Sequence, residues 1–147
     1  MEGKIIMKIK SIFLIQLFSL FACSIFSQDC INEDVYTPEK GSKERKEILD
    51  ALREEIFEIH HIKVIFVVNY MKVYDGWAWL HTLPQEADGT NRYEDILALI
   101  HKDDLQWKVL EIPCAEEENS NCITSENYFE GLKKRFPELP ECILPGN

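Results

Sequence analysis

The stretch "IKVIFVVNYMKVYDGWAWLHTL" (residues 62–83) carries the decision about the fold. Its first half is dense in β-branched and aromatic residues, which is the composition of a strand rather than a helix. Asp75-Gly76 then supplies the two-residue signal of a tight hairpin, because such turns need positive φ and Asp and Gly tolerate it. "WAWLHTL" returns as the antiparallel partner, and Pro84, with no amide proton to give to a ladder, is expected to end it. A lone hairpin is marginal in water, so further strands and a covering layer are required.

Both are legible on either side. Downstream, "PQEADGTNRYED" reads as a loop with its own Asp88-Gly89 turn, and "ILALIHK" and "WKVLEIPC" read as a second strand pair joined across Asp103-Asp104-Leu105-Gln106. An acidic loop, "AEEENSN", lies between Cys114 and Cys122. A short helix, "SENYFEGLKKRF", with Ser125 as its expected cap, precedes the tail "PELPECILPGN". Upstream, "SKERKEILDALREEIFEIH" repeats Ile48, Leu49, Leu52, Ile56 and Ile59 at helical spacing, with Ser42 placed to cap it and Glu44 in its first turn. The predicted architecture is α+β: one long N-terminal helix packed on a curved four-stranded antiparallel sheet, with a short C-terminal helix. The first helix is the only large apolar stripe visible, so it is expected to cover one face of the sheet.

The segments "RKEILDALREEI", "IFVVNYMKVYDGWAWL" and "ALIHKDDLQWKVLEI" together resemble a group of small exported bacterial proteins of unknown function. The shared features are an Arg-Lys-x-Ile-Leu-x-Ala-Leu-Arg helix, a Phe-Val-Val strand, a Gly-Trp-Ala hairpin return and a Trp-x-Val strand. The resemblance spans roughly residues 38–113 and implies a cystatin-like or nuclear-transport-factor-like cone of helix and bent sheet. It implies no activity. The cysteines around the acidic loop and the tail beyond them fall outside it.

Residues 1–28 read as an export signal. Lys4, Lys8 and Lys10 precede an apolar run of about fifteen residues, shorter than the roughly 20 needed to span a bilayer as a helix. Leu20-Phe21-Ala22-Cys23 resembles a bacterial lipobox, which makes Cys23 a lipidation candidate. Cleavage after Ser24 or near Ser27-Gln28 is the competing route, and it would discard Cys23. Only the first route brings the chain to the membrane, through an anchor at Cys23; the remaining residues, 29–147, are the size of one domain.

Without Cys23, an even number of cysteines remains: Cys30, Cys114, Cys122 and Cys142. In an exported chain these are expected as disulfides, in three conceivable pairings. The expected pairs are Cys114–Cys122, closing the acidic loop, and Cys30–Cys142, tying the ends together, the latter contributing on the order of 4 kcal/mol by chain entropy. The absence of any Cys-x-x-Cys pair argues against zinc. The formal net charge is −10, and loss of the leader removes three Lys and one Glu to leave −12. Such a surface disfavours nucleic acid and anionic lipid as partners.

Trp77 and Trp79 lie two apart on one strand and so share a face, with His81 next in the same row. These three are the candidate ligand-binding residues, since aromatic rings on a sheet face stack on sugars or planar molecules; rings of this size more usually fill the space between helix and sheet. His60, His61, His81 and His101 lack the spacing of a metal motif, and His60-His61 suits a helix C-terminus. Glu58 with His60, or Asp95 with His101, are the acid–base pairs within reach by sequence. Asp88, Asn91, Glu94 and Asp95 do not have the spacing of a calcium loop. With no Gly-x-Ser-x-Gly elbow and no phosphate loop, no catalytic residue, metal or cofactor is assigned. The expectation is a protein of the periplasm or cell exterior that binds another envelope protein, or alternatively a small apolar or sugar-like ligand, with a hydrolase- or isomerase-like activity as the remaining alternative.

Overall fold

A computed structural model describes residues 34–114 and 122–146. Helix α1 (Lys43–His60) leads into strands β1 (Ile65–Tyr74), β2 (Trp77–Gln85), β3 (Ile96–Asp103) and β4 (Gln106–Glu111), followed by helix α2 (Tyr128–Arg135) and a 3-10 turn at Glu141–Ile143. The strands form one antiparallel sheet in the order β1-β2-β3-β4. The protein is therefore α+β, with two helices and a four-stranded antiparallel sheet.

Local chemistry accounts for the first helix and the hairpin. Ser42 caps α1, its Oγ accepting from the Arg45 backbone N–H at 3.2 Å, and His61 closes the helix in the left-handed region with its N–H on Phe57 C=O. Ile48, Leu49, Leu52 and Ile56 are buried as the spacing predicts, whereas Ile59, in the last turn, is 54% exposed because the stripe has run past the sheet. At the hairpin Asp75 and Gly76 have φ of 45° and 76°, the two positive values that match the twist of the flanking strands.

Two expectations about β2 and α2 need correction. Pro84 does not end β2; it pairs with Phe66, and the strand runs on to Gln85. The β2–β3 ladder stops at Thr82–Ile96, and beyond it Pro84 C=O still accepts from Tyr93 N–H at 2.9 Å, so the missing amide falls where regular pairing has already ceased. Ser125 does not cap α2. Asn127 occupies the cap position without a side-chain bond, while Ser125 makes a turn just before it.

The larger correction concerns layers. α1 packs on one face of the sheet through Ile48, Leu52 and Ile56 against Met71, Val73, Ala78, Leu80, Ala98, Ile100 and Trp107. The opposite face is covered as well. Trp77, Trp79 and Leu99 are buried there beneath Tyr128 and Leu132 of α2 and Leu139, Ile143 and Leu144 of the tail. A residue of β1 decides which side chains reach which layer. Between Val68–Thr82 and Tyr70–His81 the register slips, leaving Asn69 as a β-bulge. The extra residue puts Met71 and Val73 on the α1 face in line with Phe66 and Val68.

Cys114 and Cys122 are joined by a disulfide, as expected. Cys142 is itself disulfide-bonded, while Cys30, its expected partner, lies outside the described residues, as do Cys23, the leader expected over 1–28 and Glu116–Glu118 of the acidic loop. No helix among the described residues is long and apolar enough to cross a membrane.

Candidate functional site

β2 carries all three candidate ligand residues, and the structure divides them. Trp79 is fully buried and Trp77 is 7% exposed, under α2 and the tail. Phe129 meets the Trp79 ring edge-on at 5.9 Å, and Phe136 meets Trp77 at 6.3 Å. His81 continues the same row but lies past the covered zone, half-buried. Its neighbours on this open part of the face are Ile65, Val67, Tyr70 and Leu83, which are 39%, 46%, 36% and 38% exposed.

His81 ties three elements together. Its Nε2 lies 2.6 Å from Asp95 Oδ2, just before β3, and its Nδ1 lies 3.4 Å from Asn69 Nδ2 on the β1 bulge. With the Asn69 amide donating to Nδ1, the proton of a neutral imidazole sits on Nε2 and is donated to Asp95. Tyr70 packs its ring edge-on against His81 at 5.5 Å and accepts a hydrogen bond from Trp79 Nε1 at 3.1 Å. Burial pushes the Tyr70 hydroxyl up from the ordinary tyrosine value, and the Trp79 N–H partly opposes the shift.

The other histidines are separate. Asp95 bonds His81 rather than His101, because His101 pairs with Trp77 at the far end of β2 and rests on its ring at 4.2 Å. His60 and His61 end α1, as expected for the helix dipole. Asp88 accepts from Thr90 N–H and Oγ1 within a turn that holds Gly89 at positive φ. Among the described residues no group of three His, Cys, Asp or Glu side chains converges on a point that could hold a metal.

A second polar cluster anchors α2. Tyr128 donates to Glu111 Oε1 at 2.7 Å, and Arg135 donates to both Glu111 oxygens at 2.6 Å. Burial first, then the Glu111 carboxylate, raises the Tyr128 hydroxyl well above the tyrosine range. Its inward position and its full set of partners make it a fastening for the second layer.

Asn69, Tyr70 and Asp95 join His81 in the site although sequence reading did not pair them. One signal was present: in "FVVNYMKV" the apolar rhythm changes phase after Val68, which calls for one extra residue at Asn69 or Tyr70. Nothing local announces the reach of Asp95 to His81, since it depends on where the β2–β3 loop returns.

No family model matches the chain, and comparison with curated proteins and with solved structures likewise finds no match. The reading of the site therefore rests on its geometry.

Proposed function

We propose that this chain is an exported, disulfide-stabilised domain that acts by binding another envelope protein through its sheet. The observation that carries the reading is the open part of the second sheet face, where Ile65, Val67, Tyr70 and Leu83 stand together more than a third exposed while Trp77, Trp79 and Leu99 on the same face are buried. Contiguous exposed apolar side chains rimmed by polar groups are the ordinary mark of an interaction surface. The Cys114–Cys122 bond supports an oxidising compartment. In this reading residues 1–28 are a leader, Cys23 is either acylated or discarded, and the sheet has the bend of a cone with the long helix laid across it.

A photo-crosslinking residue at Leu83, with a second at Leu110 on β4 as control, tests the reading in intact cells. One dominant protein adduct from Leu83 and none from Leu110 is expected. Equal patterns from both positions, or none from either, would overturn it. Intact mass of the same material distinguishes a chain starting at acylated Cys23 from one starting near Asp29.

A second reading rests on the 2.6 Å bond between His81 and Asp95, which is the arrangement of an oriented general base. The Asn69 amide at Nδ1 stands where a substrate would have to approach. Under this reading His81→Ala abolishes turnover and leaves the melting temperature alone. A lowered melting temperature without any activity to lose makes His81 a structural latch.

A further inference from the structure

We infer that the outer edge of β1 between Ile65 and Asn69 is a strand-addition site that takes an extended, basic segment of another protein as a fifth strand of the sheet. The inference deepens the binding reading above and rests on it.

The strand order leaves β1 on the outside of the sheet. One end of its edge is already used in this way by the chain itself. Tyr36 exchanges two backbone bonds with Val73, at 3.0 and 2.8 Å, in an antiparallel bridge, and Thr37 Oγ1 donates to Met71 C=O at 2.7 Å. Antiparallel pairing at Tyr36 sends Val35 and Asp34 toward Tyr74, away from Ile65. Among the described residues nothing pairs with the backbone edge from Ile65 to Asn69. Edge strands are normally guarded by charge or proline. "IFVVN" has neither, and the Asn69 bulge marks where the free stretch stops.

An added strand would present its side chains alternately to the two sides of the sheet. On one side they would meet Ile65 and Val67. On the other they would meet a groove of about 340 Å³ lined by Arg53, Glu54, Phe57, Ile62, Lys63 and Val64. The groove adjoins β1, since the Arg53 guanidinium lies over the Phe66 ring at 5.5 Å. Main-chain bonds then supply affinity, and the strip and groove supply selectivity.

Charge selects the partner. Glu54, Glu55 and Glu58 lie along α1, and Glu86, Asp88, Glu94 and Asp95 follow β2. Arg53 is held by Asp50, so Lys63 and Arg92 are the main counterweights, in a chain of net charge −10. A second copy would bring together two chains of the same net charge. A segment alternating apolar residues with Lys or Arg would be drawn in.

The test uses the full chain and a labelled ten-residue peptide of alternating valine and lysine, read by fluorescence anisotropy. Saturable binding is expected, weakening about tenfold between low and high salt as screening would have it. A valine–glutamate peptide, or the valine–lysine peptide N-methylated through its centre, should bind at least about tenfold more weakly, since the first loses the charge match and the second the ladder. Val67→Lys should weaken binding similarly, and Leu110→Lys should not, with circular dichroism verifying that both fold. Binding indifferent to N-methylation, equal binding of both charge types, or no binding at all would each overturn strand addition. If the Leu83 crosslink survives in any of those cases, the general binding reading stands without it. A dimer that Val67→Lys dissolves would assign the edge to a second copy and overturn the inference.

Discussion

The second face of the sheet has two halves that differ only in what lies over them. β2 crosses both, presenting Trp77 and Trp79 to the first and His81 and Leu83 to the second. In the first half α2 and the tail seal the surface. Lys72 Nζ reaches the Leu144 carbonyl at 3.4 Å, and Tyr128 and Arg135 clasp Glu111. In the second half Ile65, Val67, Tyr70 and Leu83 remain more than a third exposed. The two halves share one alternation of side chains, so the pattern along a strand states which residues face together and leaves open whether that face is covered. The apolar residues of the first half act as core, and those of the second stay partly exposed.

The contrast is sharpest in stability. Trp79→Ala should destabilise the fold by about 3–5 kcal/mol, the usual result of emptying a buried aromatic site, and it also removes the donor to Tyr70. Chemical denaturation measures this, and a loss below about 1 kcal/mol would mean that the first half is not truly sealed. Replacing both Cys114 and Cys122 with serine should cost about 2–3 kcal/mol from the short loop they close. Because Ile123 N–H donates to Cys114 C=O at 2.9 Å, the pair also fixes where the chain turns toward α2. If the double variant melts without a change in tryptophan emission before the main transition, the covering layer does not depend on the bond.

A smaller effect tests the α1 layer and depends on pH. Asp50 accepts from Lys46 and Arg53, and the Lys46 bond foremost holds its carboxyl below the ordinary aspartate value. A depressed carboxyl contributes stability that is present above the unfolded value of about 4 and is lost as pH falls through and below it. Asp50→Asn should therefore lower stability at pH 7 by about 0.5 kcal/mol, a figure suited to exposed helix pairs. The difference from the parent chain should shrink in thermal melts as the pH falls through and below that unfolded value. The smallest effect belongs to the open half. Val67→Ser should change stability by no more than about 0.5 kcal/mol while weakening any partner held there. A large loss would show that Val67 is core and would erase the distinction between the halves.

The parts of the molecule that were legible in the sequence are those decided within a few residues. Ser42 caps α1 because its Oγ needs only the amide three positions on. Asp75-Gly76 turns because its two φ values are a property of the dipeptide. The Cys114–Cys122 pair closes a loop short enough to be seen. The second covering layer was missed although "WAWL" and "ALI" are continuously apolar, as strands buried on both faces are. Its counterpart is scattered over Tyr128, Leu132, Leu139 and Ile143, which a search for one long stripe passes over. The site was half legible. His81 was in view, but its partners Asn69 and Asp95 come from a bulge and a returning loop.

By itself the sequence determined the α+β class, the four strands and their hairpin order, the acidic surface and the set of cysteines available for pairing, because each follows from composition, local periodicity or turn chemistry. Only the tertiary structure decided that Trp77 and Trp79 are buried while Leu83, farther along the same face of the same strand, is not, that Asp95 belongs to His81, and that β1 keeps part of its edge unpaired among the described residues. Those outcomes depend on where distant segments come to rest, and burial is a property of what packs above a residue rather than of the residue.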